Sequence, residues 1–356
     1  MSHKTILLVD MNSFFASVHQ AEDHSILNKP VIVGGNPNNK NKGMVLAASY
    51  EAKNKGIYTT MTMYKAVKKC PEAIVVTPDH LLYRKYSKKI MEFLRLIGPT
   101  EVASIDEAYV DITDRVKQGA TPKSIGMYIQ KTLWNKLKLG CSIGCSNTKT
   151  SAKMAADIKK PFGFVHLERQ QFCSFFHPQQ LSKLHGCGKK TEEKLNKHHI
   201  LTIGDLAKAD PLQLKMVIGI RGEMLQKIAL GIGSDKVNAE RVKGDKTIGK
   251  ERTFTQPTVE MDVLMNLARN MIHVLCERLQ EKKIRAGTIS IVYKIKRDEG
   301  SHSKSMTLQE ATSDPDLIYS VVEKLYDKHL HEVPLWLFGV RFSNFKDSQY
   351  VQLSFF

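Results

Sequence analysis

The sequence predicts a multidomain α+β protein, and three patterns support this fold class. Strand-like apolar runs alternate with helical segments over residues 1–165. Helical segments joined by short loops follow over 168–233. The order strand, helix, strand, strand, helix, strand then spans 246–345, which is typical of a split ferredoxin-like domain. A chain of 356 residues is long enough for roughly two to four domains, each with its own core.

The first region opens with an apolar strand, Ile6 to Val9, which ends in the acidic residue Asp10 and leads into a helix. "KPVIVGG" and "GMVLAASYEAK" predict two more strands joined by the polar loop 36–42, the second running into a helix. "TPKSIGMYIQKTLWNKLKL" predicts another helix, and "CSIGCS" predicts a strand. "HLLYRKYSKKIMEFLRLI" has the spacing of an amphipathic helix, with one apolar face formed by Leu82, Tyr86, Ile90, Phe93 and Leu94.

Two adjacent carboxylates interrupt the strand-like run "SIDEAYVDITD", in which Asp106 directly precedes Glu107. Like charges repel in a buried setting, so the pair lies in a solvated turn or something positive holds it. Neighbouring side chains on a regular strand point to opposite faces of the sheet. Both carboxylates can therefore face one site only if a turn or a β-bulge lies at this point.

Asp10, Asp106 and Glu107 together form a candidate metal site. Each is predicted to lie at the end of a strand or beside one, so that the strand holds the residue while its tip stays accessible. Carboxylate oxygens are the ligands that suit magnesium. Two such ions, roughly 3.5–4 Å apart, activate an attacking hydroxyl and stabilise a leaving pyrophosphate. The pattern indicates nucleotidyl transfer, with a structural turn as the alternative for each carboxylate taken singly.

Basic residues that can hold a triphosphate occur in two segments. "SYEAK" places Tyr50 and Lys53 on one helical turn. "KTSAKMAADIKKPFG" adds the lysines at positions 149, 153, 159 and 160. A solvated surface position remains the alternative for each lysine.

The segment "LHGCGKKTEEKLNKHHILTIGDLA" has the signature of a helix–hairpin–helix motif. Gly186 and Gly188 lie in its turn, and Lys189 follows them. Glycines let a backbone approach a phosphate closely, and the N–H groups at the following helix start point outward. "GIRGEMLQKIALGIG", residues 219–233, is a looser second candidate. A plain helical turn remains the alternative interpretation.

The last region begins after the polar segment 234–245, which we interpret as a linker. In "GTISIVYKIKRD" apolar residues alternate with polar ones, so one face of the sheet should be covered by helices. The other face is predicted to be exposed and to carry Lys294 and Lys296. Such a face can lie along a nucleic-acid backbone without reading bases, or can simply be solvated.

The composition points to a polyanionic partner. Lys and Arg number 53 against 36 Asp and Glu, a net charge of +17. No apolar run approaches the roughly 18–20 residues that span a bilayer, and "TILLVD" is too short for a signal sequence. We therefore expect an intracellular, cytoplasmic protein with no membrane partner. Six scattered cysteines without CxxC pairs argue against a disulfide framework and against a zinc site.

Seven motifs together resemble the Y-family translesion DNA polymerases, closest to the bacterial DNA polymerase IV type. They occur in the family's order over essentially the whole chain: "LLVDMNSFFASV", "VLAASYEAKNKGI", "SIDEAYVDITD", "SNTKTSAKMAADIKKPFG", "LHGCGKKTEEKL…ILTIGDLA", "KTIGKERTF" and "QLSFF". The resemblance implies template-directed, low-fidelity synthesis on primer–template DNA from dNTPs. It also implies a right-hand polymerase with a palm (1–10 and 77–166), small fingers (11–76), a helical thumb (167–233), a linker (234–245), a little finger (246–345) and a tail (346–356).

The resemblance also implies roles for individual residues. Asp10, Asp106 and Glu107 match the carboxylates that bind two Mg²⁺ ions, for which Mn²⁺ can substitute, with the Met11 carbonyl as a further ligand. Phe15 matches the steric gate that leaves no room for a 2′-hydroxyl. The positions that grip the triphosphate match Tyr50, Lys53, Lys160 and the backbone amides of Ser13, Phe14 and Phe15. Gly186 and Gly188 would hold a DNA phosphate.

The final residues, "QLSFF", resemble the peptide with which bacterial polymerases dock on the sliding clamp. The matching side chains are Gln352, Leu353, Phe355 and Phe356. A last strand folded back on its domain is the alternative. We expect a clamp-tethered monomer that is nucleoid-associated where it works on DNA.

Three positions depart from the family's usual pattern. Asn12 stands where many relatives have an acidic residue, His19 where they have Glu, and Lys53 where they have Arg. Lysine cannot make the bidentate contact that arginine makes, so triphosphate affinity could differ.

Other functions left open are a template-restricted deoxycytidyl transferase, a palm-type nucleotide cyclase, and an inactive scaffold that binds DNA or the clamp.

Overall fold

The computed structural model describes residues 4–35, 39, 42–240 and 244–348, and in it the chain divides into two units, Met1–Arg241 and Val242–Phe356. Each unit is built around hydrophobic cores of its own. Within the described residues no helix is both long and apolar enough to cross a bilayer. The assignment of segments to palm, fingers, thumb and little finger remains our interpretation.

A five-stranded sheet forms the centre of the first unit. Its strands are β1 (Ile6–Met11), β5 (Thr100–Val102), β6 (Glu107–Asp111), β7 (Cys141–Ser146) and β8 (Phe164–His166). They lie in the order β5-β6-β1-β7-β8, with β1 buried along its whole length and antiparallel to both β6 and β7. The strands predicted at the first carboxylate, at the acidic pair and at "CSIGCS" are thereby confirmed.

Helices cover both faces of this sheet. On one face lie α4 (His80–Ile97) and α6 (Pro122–Leu137), packed in one core with Leu7 and Val9 of β1. On the other face lies α7 (Lys149–Ile158), whose Ala152 and Ala156 pack against Leu8. Alternate residues of β1 therefore serve opposite layers, as the pleat of a strand requires.

Capping residues set the ends of α4. Asp79 accepts hydrogen bonds from the amides of Leu81 and Leu82 at 3.0 and 2.9 Å. Arg115, from the short helix α5 (Thr113–Lys117), donates to the last carbonyls of α4. The predicted helix is confirmed, but its buried stripe is centred on Tyr83, Tyr86, Ile90 and Leu94. Leu82 and Phe93 lie only at the edge of that stripe.

Helix α7 approaches β7 unusually closely at Gly144. A Cβ atom at this position would overlap the backbone of Ala152 and Ala156. The two elements therefore pack with no side chain between them, and the small residues on α7 make the approach possible.

A separate three-stranded sheet belongs to the region interpreted as fingers. Its strands are β2 (Val31–Gly34), β3 (Val45–Ala48) and β4 (Ile74–Val76), in the order β3-β2-β4. The helices of this region are α1 (Phe14–Glu22), α2 (Tyr50–Asn54) and α3 (Met63–Lys69). Ile32, Ile57 and Met63 are among the buried residues of its small core. Both predicted strands are confirmed.

The region from 169 to 229 is helical, as predicted. Its helices are α8 (Arg169–Phe176), α9 (Lys189–Asn196), α10 (Ile203–Lys208), α11 (Pro211–Ile218) and α12 (Arg221–Ala229). Apolar residues of these helices, with Met154 of α7, form a third core. Gly186, at φ 88°, makes the turn before α9, a backbone conformation that favours glycine.

The second unit has the predicted order of strands and helices. It consists of β9 (Thr247–Thr258), α13 (Met261–Glu281), β10 (Ile284–Lys294), β11 (His302–Thr312), α14 (Pro315–Leu330) and β12 (Leu335–Asp347). The sheet order is β11-β10-β12-β9, so β12 splits the unit formed by β9, α13 and β10. Asp314 and Pro315 begin α14 as cap and first residue.

The face of this sheet opposite its helices carries hydroxyl groups. Thr288 pairs with Thr307 at 3.1 Å, and Ser290 pairs with Ser305 at 2.9 Å. Lys294 ends β10 on the same face by its register. The prediction that Lys296 shares this face is wrong, because β10 ends two residues earlier and Lys296 pairs with Glu299 at 2.9 Å beyond it.

The start of the predicted linker is bound to the first unit. Ser234 accepts a hydrogen bond from the amide of Lys149 at 2.9 Å, and the amide of Asn238 donates to Glu101 Oε2 at 2.9 Å. Lys149 Nζ lies 2.9 Å from the same Oε2 atom, and the side chain of Glu101 is only 1% exposed. One buried carboxylate thus joins β5, α7 and the polar segment.

Removing this carboxylate should destabilise the first unit strongly. We expect Glu101→Ala to lower the free energy of unfolding by about 3–5 kcal/mol, because Lys149 keeps a poorly solvated charge without its partner. The matched control is Glu72→Ala, which removes an exposed pair with Lys55 at 3.5 Å and should cost less than about 1 kcal/mol. Urea denaturation followed by circular dichroism measures both. Equal losses for the two variants would contradict the role of Glu101.

Candidate active site

The turn between β5 and β6 answers the question raised by the adjacent carboxylates. Glu107 is the first residue of β6, and Asp106 lies in the turn before it. The carbonyl of Glu107 accepts hydrogen bonds from the amides of Ala103 and Ser104 at 3.0 and 3.1 Å, which close the turn. The expected break in the strand is confirmed.

Asp10 lies directly opposite this turn. In the pairing of β1 with β6, Asp10 is the partner of Glu107, and the amide of Met11 donates to the carbonyl of Asp106 at 3.0 Å. Directly opposed residues in antiparallel strands have Cβ atoms about 4.5–5.5 Å apart. Asp10 is 96 positions before Asp106 and 97 before Glu107 in the chain. The three carboxylates are nevertheless neighbours in space.

Each of the three carboxylates has its own partner. Lys160 Nζ donates to Asp10 Oδ2 at 2.6 Å, and Lys153 Nζ donates to Glu107 Oε1 at 2.6 Å. Asp106 Oδ1 accepts from the hydroxyl of Ser104 at 2.6 Å. Of the two alternatives for the acidic pair, the structure shows elements of both: Asp106 lies in a turn with a hydroxyl partner, while Glu107 is paired with a lysine.

Burial raises the pKa of Asp10 to about 6, although the hydrogen bond and charge of Lys160 oppose this shift. The charges of Glu107 and Asp106 raise the pKa further. Burial lowers the pKa of Lys160, but hydrogen bonds to Asp10 and Asp157 outweigh it and leave that pKa above its ordinary value. Asp10 is therefore only partly ionised near pH 6 even with Lys160 beside it, and a divalent cation bound there would favour its ionised form.

The donor set fits a hard divalent cation in chemistry and in charge. The carboxylate oxygens are hard ligands, and two of the three carboxylates already lie within 2.6 Å of an ammonium group of the chain. Among the described residues, however, no group of three or more His, Cys, Asp or Glu side chains is arranged to hold a metal ion. The three carboxylates thus have the ligand type that a divalent cation prefers and lie close together. In this structure their hydrogen-bond partners are two ammonium groups and one hydroxyl group.

A cavity of about 350 Å³ opens beside the carboxylates. Most of the residues that the sequence assigned to metals, to the gate or to the triphosphate line it: Asp10, Met11, Ser13, Phe14, Phe15, Tyr50, Lys53, Asp106, Glu107 and Lys160. Of the four lysines in "KTSAKMAADIKKPFG", only Lys160 is among the described lining residues. The sequence analysis did not single out Leu46, Ala47, Ala48 and Thr59, which also line it. In the sequence Leu46 looks like any other apolar residue of a strand, and only the structure shows that it is 39% exposed.

One end of the cavity is formed by the start of α1. Ser13 precedes this helix in the left-handed region at φ 47°, and no side chain within the described residues caps the helix there. Lys53 Nζ donates to Ser13 Oγ at 2.8 Å and lies 4.6 Å from the centre of the Tyr50 ring. The first N–H groups of α1 and a lysine therefore lie side by side, an arrangement that attracts anions.

Phe15 is supported by a stacked ring. Its ring centre lies 4.1 Å from that of Tyr83, with 12° between the planes. Tyr83 is completely buried, and its hydroxyl shares a hydrogen bond of 2.8 Å with His19 Nε2. Burial lowers the pKa of His19, which favours a neutral ring. The departure at His19 thus helps to hold Tyr83, on which Phe15 rests.

Asn12 is buried and does not line the cavity found among the described residues. Its Oδ1 accepts a hydrogen bond from the hydroxyl of Ser142 at 2.8 Å, and its backbone N–H donates to the carbonyl of Gly140 at 2.9 Å. This departure from the family pattern lies between β1 and β7. Its contacts are structural.

A larger cleft of about 1080 Å³ lies between α7 and the helix–hairpin–helix turn. Its lining includes Gly186, Gly188, Lys189, Lys190 and Arg221. A Cβ atom at Gly188 would have no described atom within 4 Å, so packing within the chain does not require glycine there. Close approach by an external group would require it.

Met154, Asp157 and His185 also line this cleft. Burial lowers the pKa of His185, and the charge of Lys153 lowers it further. The turn therefore lies within electrostatic reach of the carboxylate site.

The predicted clamp-binding residues Gln352, Leu353, Phe355 and Phe356 lie outside the described residues.

Comparisons with known proteins agree in pointing to one family. The sequence model of the impB/mucB/samB family matches residues 9–157, and that of its C-terminal domain matches residues 245–355. A DNA polymerase IV of Bacillus velezensis is 37% identical over 99% of this chain and 85% of the relative. A DNA polymerase IV of Oceanobacillus iheyensis is 35% identical over 95% of this chain and 80% of the relative.

Among solved structures, a Y-family DNA polymerase chimera, Dbh-Dpo4(243-245)-Dbh, superposes with a TM-score of 0.83. It is 26% identical to this chain, and the match covers 96% of this chain and 98% of the chimera. The likeness therefore extends through both units.

Proposed function

Because this chain belongs to the impB/mucB/samB family of Y-family DNA polymerases, and is a DNA-directed DNA polymerase of translesion synthesis, we propose that Asp10, Asp106 and Glu107 bind its divalent cations. One observation carries this proposal, the register that sets Asp10 opposite Glu107 with Asp106 in the adjoining turn. The cations would be two Mg²⁺ ions, with Mn²⁺ as a substitute, and the Met11 carbonyl would be a further ligand. When bound, they would supply Lewis-acid activation of the primer hydroxyl and neutralise charge on the leaving pyrophosphate.

The residues around the cavity would hold the incoming dNTP. The first amides of α1 at Ser13 and Phe14, with Lys53 beside them, would bind phosphate oxygens. The hydroxyl of Tyr50 would donate a hydrogen bond to an oxygen of the same triphosphate. Lys160 would exchange its contact with Asp10 for a contact with the triphosphate, because both are anions and the phosphate is the more highly charged.

Phe15 would determine which sugar is accepted. Its ring lines the cavity and is fixed by the stack on Tyr83, so it cannot turn aside at low cost. A ribose 2′-hydroxyl would have to occupy the space of that ring. We therefore propose Phe15 as the steric gate.

Primer–template DNA would enter through the cleft beside the thumb turn. Gly186 and Gly188 would let a phosphate approach the backbone at the start of α9, and Lys189 would add charge. Lys294 offers a further contact in the second unit. Lys296 is the weaker candidate, since it is exposed and paired with Glu299.

Two further proposals rest on the sequence alone. The residues Gln352, Leu353, Phe355 and Phe356 would dock on the sliding clamp, and the enzyme would act as a monomer. Loss of clamp binding when residues 352–356 are deleted, with unchanged primer extension in the absence of the clamp, is the expected result. Clamp binding that survives the deletion would contradict the first proposal.

The test of the function is primer extension with each dNTP offered singly and with all four together. We expect the nucleotide complementary to each template base to be added, on intact templates and opposite a damaged base, and only when Mg²⁺ or Mn²⁺ is present. Addition of dCMP opposite every base would instead identify a template-restricted deoxycytidyl transferase. Synthesis in excess chelator would contradict the proposed metal site.

A further inference from the structure

Lys153 lies where a cation bound to Glu107 would have to lie. Its Nζ donates to both oxygens of this carboxylate, at 2.6 Å to Oε1 and 2.7 Å to Oε2. The two side chains are only 21% and 22% exposed, so water screens the pair weakly. A divalent cation at the same oxygens would meet the ammonium at contact distance and would be repelled by it.

The position of Lys153 separates it from the residues proposed for the triphosphate. Lys53 and Lys160 line the cavity beside the carboxylates. By contrast, Asp157, one helical turn after Lys153 on the same face of α7, lines the thumb cleft together with Met154 and His185. Lys153 itself is not among the described lining residues of either space. It lies between them, since it contacts Glu107 of the cavity and is one helical turn from Asp157 of the cleft.

We propose that Lys153 is a built-in competitor of the divalent cation at Glu107 and is drawn off by a phosphate of DNA in the thumb cleft. The inference rests on the proposed metal site. In the DNA-free protein, Lys153 relieves the repulsion among the carboxylates and keeps the affinity of Glu107 for free cations low. A DNA phosphate in the cleft gives the ammonium another anion, and the carboxylate becomes available to the metal.

This exchange couples two ligands through one side chain. If DNA raises the affinity for the cation, the cation must raise the affinity for DNA by the same factor. Lys153 thus acts as a positioning residue for the metal site, through its effect on Glu107. The coupling requires the positive charge of Lys153 and not merely its volume.

The experiment measures Mn²⁺ binding to the full-length protein, without nucleotide, from the electron paramagnetic resonance signal of free Mn²⁺. We expect Lys153→Met to lower the Mn²⁺ dissociation constant by about tenfold, the low end of what a charge-assisted hydrogen bond is worth. Lys153→Arg keeps the charge and should stay within about threefold of the parent. Lys159→Met removes a charge from a neighbouring exposed lysine and should also stay within about threefold.

A second series repeats the titrations with primer–template DNA, after subtraction of Mn²⁺ bound by the DNA alone. DNA should lower the dissociation constant of the parent by about tenfold and that of Lys153→Met by less than about twofold, since that variant has no ammonium to displace. Parental affinity in Lys153→Met, or an equally high affinity in Lys153→Arg, would overturn the proposal. So would an undiminished effect of DNA on Lys153→Met.

Glu107→Gln separates this inference from the function on which it rests. If Glu107→Gln leaves Mn²⁺ binding and primer extension intact, the metal site itself is wrong, and the competition is wrong with it. If Glu107→Gln abolishes both while Lys153→Met binds Mn²⁺ like the parent, the metal site stands and only the competition is wrong.

Discussion

Replacing Asp106 by asparagine is expected to lower kcat/KM for primer extension by about 10³-fold or more, equivalent to ~4 kcal/mol of transition-state stabilisation. Asparagine has nearly the same shape, and its Oδ1 can still accept the hydrogen bond that Ser104 donates at 2.6 Å. The turn should therefore keep its structure. What is lost is the negative charge that the proposed site needs to hold a divalent cation.

The measurement is single-turnover primer extension at saturating Mg²⁺, with circular dichroism as the check on folding. Asp114→Asn is the matched control, because it removes a carboxylate that is 85% exposed and paired only with Lys117 at 3.4 Å among the contacts described. This control should extend primers at the parental rate. An Asp106→Asn variant within tenfold of the parent would remove Asp106 from the metal site.

Replacing Phe15 by alanine is expected to reduce discrimination against ribonucleotides by about 10²-fold, which corresponds to ~3 kcal/mol, the upper range of what steric overpacking costs. The ring lines the nucleotide cavity and is held against Tyr83 at 4.1 Å between ring centres. With the ring gone, a 2′-hydroxyl has space. Incorporation of the deoxynucleotide should change far less than incorporation of the ribonucleotide.

The measurement is the ratio of kcat/KM for a dNTP to that for the matching rNTP. Phe15→Tyr keeps the ring and should keep the ratio within about threefold. Tyr83→Leu removes the ring behind the gate and should reduce discrimination by an intermediate factor. Unchanged rejection of ribonucleotides by Phe15→Ala would show that another group acts as the gate.

The arrangement of strands and helices could be predicted because its causes are local. Alternation of apolar residues, caps such as Asp314 and the glycines of the thumb turn all act within a few positions. The break at Asp106 could be predicted too, because the pleat forbids two adjacent side chains from sharing a face. Errors occurred where strand ends mattered, as at Lys296, since propensity does not mark where a strand stops.

The partners of the site residues could not be predicted in the same way. Lys153 and Lys160 reach carboxylates that are 46 and 150 positions away, and nothing within either segment specifies that pairing. A lysine on a helix face looks the same whether it is solvated or paired. The docking of the linker start on Glu101 escaped prediction for the same reason, because a polar segment gives no sign of the buried carboxylate that it meets.

The close contact at Gly144 has a consequence for how this protein tolerates mutation. Any side chain at position 144 would push α7 away from the sheet, and with it Lys153 and the segment that carries Lys160. In a library screened for DNA synthesis, position 144 should then be about as intolerant as the acidic residues. A glycine that touches no nucleotide and no DNA would be scored as functional, because the spacing of the active-site charges depends on its missing methyl group.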